Sequence, residues 1–128
     1  MELFHIYIVD DDEAFSRSLE RLLKSAGYFA ESFSSAQTFL DSVPVSYKKG
    51  IVILDLRMPG MDGFELHKKL KELRSEMEVI FVTADANPSD RDYAMQSGAL
   101  AFLQKPFQEE SLLSYIRKIV KEEQKQQG

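Results

Sequence analysis

Four short stretches of this 128-residue chain carry side chains that can do chemistry together. They are Asp10–Asp11–Asp12–Glu13, Asp55 with Leu56–Arg57–Met58–Pro59–Gly60 behind it, Thr83–Ala84, and Lys105–Pro106–Phe107. Each follows a short apolar run, so each sits where a buried strand gives way to a loop. Carboxylates brought together repel: at ~4 Å a pair costs about 1 kcal/mol in water and about 4 kcal/mol at an effective dielectric near 20. Such a cluster persists when a cation neutralises it or when one member keeps its proton. Hard oxygen donors suit Mg²⁺, which takes one or two carboxylates and keeps several waters. A lysine supplies a point charge for a phosphate oxygen and a threonine hydroxyl can bond another. Phosphoryl transfer needs mainly positioning and charge stabilisation, which is what such a set provides.

These residues meet only if the elements between them place them on one edge. Phe4 to Val9 is apolar and rich in strand formers, and Phe15, Leu19, Leu22, Leu23 and Ala26 then follow helical spacing up to Gly27. Tyr28 to Phe33 reads as a second, weaker strand, and Ser34 with Gln37 resembles a capping box opening a short helix. Ile51–Leu54 and Val79–Val82 are apolar at every position, as strands covered on both faces should be. Leu66, Leu70 and Leu73 mark a third helix, with His67, Lys68, Lys69 and Lys71 assigned mostly to its wet side. Asn87 and Pro88 open a fourth helix with Asp90 in its first turn, and Gly98 closes it. Ala101–Leu103 is a fifth short strand, and Leu112, Leu113, Ile116, Ile119 and Val120 form the stripe of a last helix. Strands alternating with helices predict an α/β domain: a doubly wound five-stranded parallel sheet with five flanking helices. In such sheets ligands bind beyond the carboxyl ends of the strands, near the switch in strand order.

Composition narrows the function classes. Hydrophobic residues make up 44% and charged residues 29%, which suits a globule with a proper core. With no cysteine, disulfides, thiolate zinc sites and cysteine nucleophiles drop out. A formal net charge of -5 argues against nucleic-acid binding by these residues. No apolar run approaches the ~20 residues of a membrane span, and no signal peptide is evident, so the expected setting is cytoplasmic.

The four motifs in order, Val9–Asp10–Asp11–Asp12, Leu54–Asp55 through Asp62–Gly63, Val82–Thr83–Ala84 and Lys105–Pro106–Phe107, resemble the receiver (phosphoacceptor) domain of two-component response regulators. The resemblance runs from about residue 4 to 120 and implies a flavodoxin-like, receiver-type fold over 1–121, with 122–128 a polar tail, frayed helix end or start of a linker. It implies that Asp55 takes a phosphoryl group from a sensor histidine kinase or phosphotransfer protein. Asp10 and Asp11 would be the acidic pair for Mg²⁺, Asp11 ligating directly and Asp10 largely through water, with the Arg57 carbonyl completing the set. Thr83 and Lys105 would contact phosphoryl oxygens, Phe102 would be the switch aromatic, and Lys105–Pro106 would be cis. The Phe33–Ser–Ser–Ala segment, Leu56–Arg57–Met58–Pro59 and Phe102 resemble the group carrying a LuxR-type helix-turn-helix output, as in FixJ regulators; any DNA contact would belong to such an output segment. Dimerisation through the last helix and its neighbours is common in that family and stays open here. Arg57 and Asp85 are expected to bridge across the pocket and slow hydrolysis of the phosphorylated state.

Blander readings stand beside these. The run Asp10 to Glu13 also suits a helix N-terminus, a role that fits Asp12 best. Thr83 alone suits a strand, Lys105 alone a surface, and Phe102 alone a core. His5 and His67 are assigned structural or exposed positions and no ligand role. A Mg²⁺-dependent phosphatase with an aspartyl nucleophile is the alternative function. Families of the haloacid-dehalogenase kind expect a second Asp two residues after the nucleophile, where this chain has Arg57. A nucleotide or flavin binder is disfavoured because neither a Gly-x-Gly-x-x-Gly turn nor a Walker pattern occurs. The chain is accordingly read as a switch that reacts once at its own aspartate and not as an enzyme with external substrates.

Overall fold

The computed structural model describes residues 4–127, the last two by backbone alone. Its elements alternate as expected: β1 (His5–Val9), α1 (Glu13–Ser25), β2 (Phe29–Phe33), α2 (Ala36–Ser42), β3 (Ile51–Asp55), α3 (Gly63–Glu72), β4 (Glu78–Thr83), α4 (Pro88–Gln96), β5 (Ala101–Gln104) and α5 (Glu109–Gln127). All strand pairs are parallel, in the order β2-β1-β3-β4-β5. The chain steps outward from β1 to β2, then crosses back to β3 on the other side. The switch in strand order therefore lies between β1 and β3, whose carboxyl ends carry Asp10 and Asp55.

Alternation along the strands builds two cores. Ile6, Ile8, Ile51, Ile53, Ile80 and Val82 face α1 and α5, packing on Leu19, Leu23, Leu112 and Ile116. Tyr7, Val9, Val52, Leu54 and Phe81 face the opposite side, against Phe39, Leu66, Leu70 and Ala94 of α2, α3 and α4. β3 is buried at every position, which is why its sequence shows no polar alternation.

Two details depart from the sequence reading, the α2 cap and the placement of His67. Ser35, one residue later than Ser34, caps α2: its Oγ accepts from Thr38 N at 3.1 Å, and Gln37 instead bonds Asp41 at 2.8 Å. His67 is buried, not on the wet side of α3. Its ring meets Phe81 edge-on at 5.4 Å, because the apolar stripe of α3 spans Gly63, Leu66, His67 and Leu70 and the lysines begin just beyond it. The polar residues after 121 continue α5 as helix through Gln127; Gly128 lies outside the described residues.

Candidate functional site

Asp10 leaves β1 with its backbone N–H still bonded to Phe33 O at 3.1 Å, so the neighbouring strand fixes its position. Its Oδ1 accepts from Asp12 N at 2.9 Å, and Asp12 in turn caps α1 by accepting from Phe15 N at 3.1 Å. The acidic run thus divides its work: Asp12 closes the helix, Asp10 turns into the protein at 1% exposure, and Asp11 stays exposed. Asp55 ends β3 and is 7% exposed, with Arg57 N–H donating to its Oδ1 at 3.4 Å. Asp10, Asp11 and Asp55 each offer a carboxylate oxygen, and these atoms lie within 4.8 Å of one another.

Lys105, at the end of β5, brings Nζ to 2.7 Å from Asp10 Oδ2 and 3.9 Å from the centre of the Phe15 ring. Its backbone N–H donates to Thr83 O at 2.8 Å, which ties the β5 end to the β4 end. Thr83 is fully buried, one position beyond Val82, the register partner of Asp55. Its hydroxyl is engaged with its own loop, accepting from Asp85 N at 3.2 Å and donating to Asp85 O at 3.3 Å. The Lys105–Pro106 peptide is cis, as the sequence reading implied. Phe102 is buried in the core beneath α4, with the Arg91 guanidinium 5.4 Å from its ring centre.

Charge does not balance in this pit. Three carboxylates face a single lysine. Burial pushes the Asp55 carboxyl up to about 7, and the neighbouring Asp10 carboxylate adds to the rise; Lys105 and the Arg57 N–H pull the other way, and Asp11 adds a little more upward push. A neutral-pH solution would therefore leave Asp55 partly protonated. A set of hard oxygens short of positive charge is what a small divalent cation fits.

The expected Arg57–Asp85 bridge is not formed. Arg57 instead reaches Asp90 in the first turn of α4, with a guanidinium nitrogen 2.7 Å from Oδ2, and among the described residues Asp85 forms no salt bridge. Asp90 is the third residue of α4 and its carboxylate turns inward, whereas Asp85 stays exposed on the loop. Sequence reasoning took Asp90 only as a helix-terminus acid; its partnership with Arg57, 33 positions earlier, had no local signal. Gly63 opens α3 against the end of β3, where its N–H donates to Leu56 O at 3.0 Å.

Comparison with known proteins agrees with this fold. The sequence profile of the family described as response regulator receiver domain matches residues 6–117. The transcriptional regulatory protein FixJ of Bradyrhizobium diazoefficiens is 40% identical over 118 residues, covering 92% of this chain and 57% of that protein. The response regulator protein TodT of Pseudomonas putida strain F1 is 42% identical over 116 residues, 91% of this chain and 51% of that protein. This chain thus spans about half the length of these curated relatives. A CheY-like receiver domain structure from Methanospirillum hungatei superposes with a TM-score of 0.85 at 31% identity, covering 98% of this chain and 99% of that one. Full-length FixJ from B. japonicum gives a TM-score of 0.83 at 39% identity, over 94% of this chain and 59% of that one. With the profile covering most of the sequence and both relatives matching nearly its whole length, the chain belongs to the response regulator receiver domain family.

Proposed function

We propose that this receiver domain is a phosphorylation-controlled switch whose acceptor is Asp55. The observation that carries the reading is the convergence of Asp10, Asp11 and Asp55 oxygens within 4.8 Å of one another, with Lys105 seated on Asp10. Receiver domains bind Mg²⁺ at an acidic pocket and interact with histidine kinases. Here Asp11 and Asp55 would hold the ion, with Asp10 acting largely through water and the Arg57 carbonyl completing the set. When bound, Mg²⁺ screens the carboxylates from an incoming phosphoryl group and keeps Asp55 ionised.

The chain's own residues do the rest. A carboxylate oxygen of Asp55 attacks phosphorus, a P–O bond forms as the P–N bond to the donor histidine breaks, and the imidazole leaves with the bond's electron pair and takes up a proton from solvent to depart neutral. Lys105 Nζ, already inside the pit, balances charge on the transferred group. Modification replaces the single charge of the Asp55 carboxylate with a phosphoryl group carrying nearly two, a net gain of about one negative charge and three acceptor oxygens. Thr83 then has a stronger acceptor than the Asp85 carbonyl for its hydroxyl, and its movement opens space toward which Phe102 can turn. Phosphorylation biases the two conformations only by its differential interaction with them, and a shift from 1:99 to 99:1 needs about 5.5 kcal/mol.

The donor's approach has a matching feature. An apolar groove of about 500 Å³ beside the pit is lined by Phe15, Leu19, Leu22, Pro106 and Phe107, with Asp12 and Lys105 at its edge. A helix presenting a phosphohistidine would lie along it. FixJ is a transcriptional regulatory protein of which this chain spans 57%, so any DNA contact would belong to an output segment outside the receiver.

Incubation with Mg²⁺ and acetyl phosphate, followed by intact mass and peptide mapping, tests the assignment. The expected result is one phosphoryl group per chain, on Asp55, lost slowly, and none on Asp55→Asn. Uptake by Asp55→Asn would overturn it. Sustained multiple turnover of external phosphate esters would favour the phosphatase alternative instead.

A further inference from the structure

Arg57 has its two ends on different parts of the switch. Its backbone N–H donates to Asp55 Oδ1, while its guanidinium crosses to Asp90 Oδ2 at 2.7 Å. The same Asp90 oxygen accepts from Asn87 N at 2.8 Å, so one buried carboxylate both closes the first turn of α4 and receives the arginine. Asp90 is also half of what α4 buries. Besides it, only Ala94 is buried along that helix, whereas Tyr93 and Met95 stand exposed. Its other side-chain contacts are peripheral, Arg91 over the Phe102 ring at 5.4 Å and exposed Tyr93 edge-on to Phe64 at 4.6 Å, so the buried anchor in the first turn of α4 is the charged contact with the acceptor loop.

We propose that the Arg57–Asp90 pair is a latch that holds α4 to the acceptor loop in the unmodified protein, and that a phosphoryl group on Asp55 releases it by competing for Arg57. The competition follows from charge and tether. Asp90 offers one negative charge. A phosphoaspartate two residues from Arg57 in sequence offers nearly two, with oxygens suited to a guanidinium fork. Arg57 is 42% exposed at its side chain, so it can swing without first leaving a packed core. Once Arg57 turns away, Asp90 keeps its bond from Asn87 but loses its counter-charge, and the first turn of α4 loosens. By linkage, whatever loosens α4 also favours the modified acceptor. The latch rests on the reading of Asp55 as acceptor but acts through a different pair from Thr83 and Phe102.

Amide hydrogen exchange over residues 88–96 tests it, first in metal-free, unmodified protein. Asp90→Asn leaves an oxygen for the Asn87 N–H while removing the charge, and Arg57→Ala leaves the cap intact. Each is expected to speed α4 exchange by about fivefold, with the double variant no faster than either single and α1 exchange unchanged. Beryllofluoride with Mg²⁺ is then expected to speed α4 exchange in the parent chain and to add little in Arg57→Ala. Parent-like α4 exchange in Arg57→Ala, or an undiminished beryllofluoride effect in that variant, overturns the latch. Absence of Asp55 labelling by acetyl phosphate in the parent chain would instead remove the acceptor assignment, and that measurement is separate.

Discussion

Replacing Asp55 by Asn should stabilise the metal-free protein above neutral pH. The carboxyl is raised from an ordinary value near 3.8 to about 7, first by burial and then by Asp10. A group whose folded-state pKa lies above its unfolded value binds its proton more tightly when folded. Stability from this group is therefore highest below the unfolded value, falls as pH climbs from about 4 to 7, and stays low beyond that. Each unit is worth about 1.4 kcal/mol, so the full penalty above pH 7 is up to about 4 kcal/mol. At pH 5, between the unfolded and folded values, less than half of it remains. Asn keeps an oxygen for the Arg57 N–H and carries no charge. With about 2.1 cal/mol/K of unfolding entropy per residue, recovering about 2 to 4 kcal/mol at pH 8 raises Tm by roughly 7–15 °C. Thermal melts in chelator at pH 8 and pH 5 read this directly. The gain should shrink at pH 5, and Mg²⁺ at pH 8 should raise the parent Tm far more than that of Asp55→Asn. Equal Tm values for the two proteins at pH 8, or a gain that does not shrink on acidification, would refute the account of a strained acidic pit.

Two further substitutions probe the surroundings of the pit. In Gly63→Ala the added Cβ would lie 2.5 Å from Asp55 O and 2.9 Å from Leu56 Cα, so helix and strand end must part; urea titration should show a loss of about 1–3 kcal/mol, and labelling of Asp55 should slow. His67 is pushed down to about 4, mainly by burial and then by Lys71, so its stabilising effect is complete above pH 6.5 and is lost as pH falls toward 4. That loss of about 3 kcal/mol opposes the gain at Asp55 over nearly the same range, so His67→Leu should make the protein more stable on acidification from pH 7 to 5, measured by urea midpoints, while Asp55→Asn should make it less so.

Much of this site was legible because apolar runs mark where strands stop. A parallel sheet puts all those stops on one edge, so strand order alone gathers Asp10, Asp55, Thr83 and Lys105 there. What stayed hidden depends on side-chain direction rather than on element order. Asp85 and Asp90 lie in one short stretch, and both carry the charge Arg57 needs. Only the helical geometry of α4 turns Asp90 inward and leaves Asp85 outside. His67 was misplaced for a related reason. Three nearby lysines suggested a wet face, but a histidine next to Leu66 and one turn from Leu70 falls on the edge of the apolar stripe. Ser34 and Ser35 are chemically equivalent caps, and the extended backbone at Ser35 decides between them.

The same comparison of helices explains where a switch can move. α3 buries Gly63, Leu66, His67 and Leu70, and α5 buries Leu112, Ile116 and Ile119. Shifting either would expose large apolar side chains, each worth about 1.5–3 kcal/mol of burial. α4 buries one alanine and one aspartate, so its displacement forfeits the ion pair and the half-exposed contacts of Tyr93 with Phe64 and Arg91 with Phe102, but no large buried aliphatic side chain. An added charge at Asp55 can act on an ion pair across a few ångströms, but it cannot easily repack a core. The helix that is held by charge is therefore the one a phosphoryl group can release, and it lies over Phe102, the residue through which the change would reach β5.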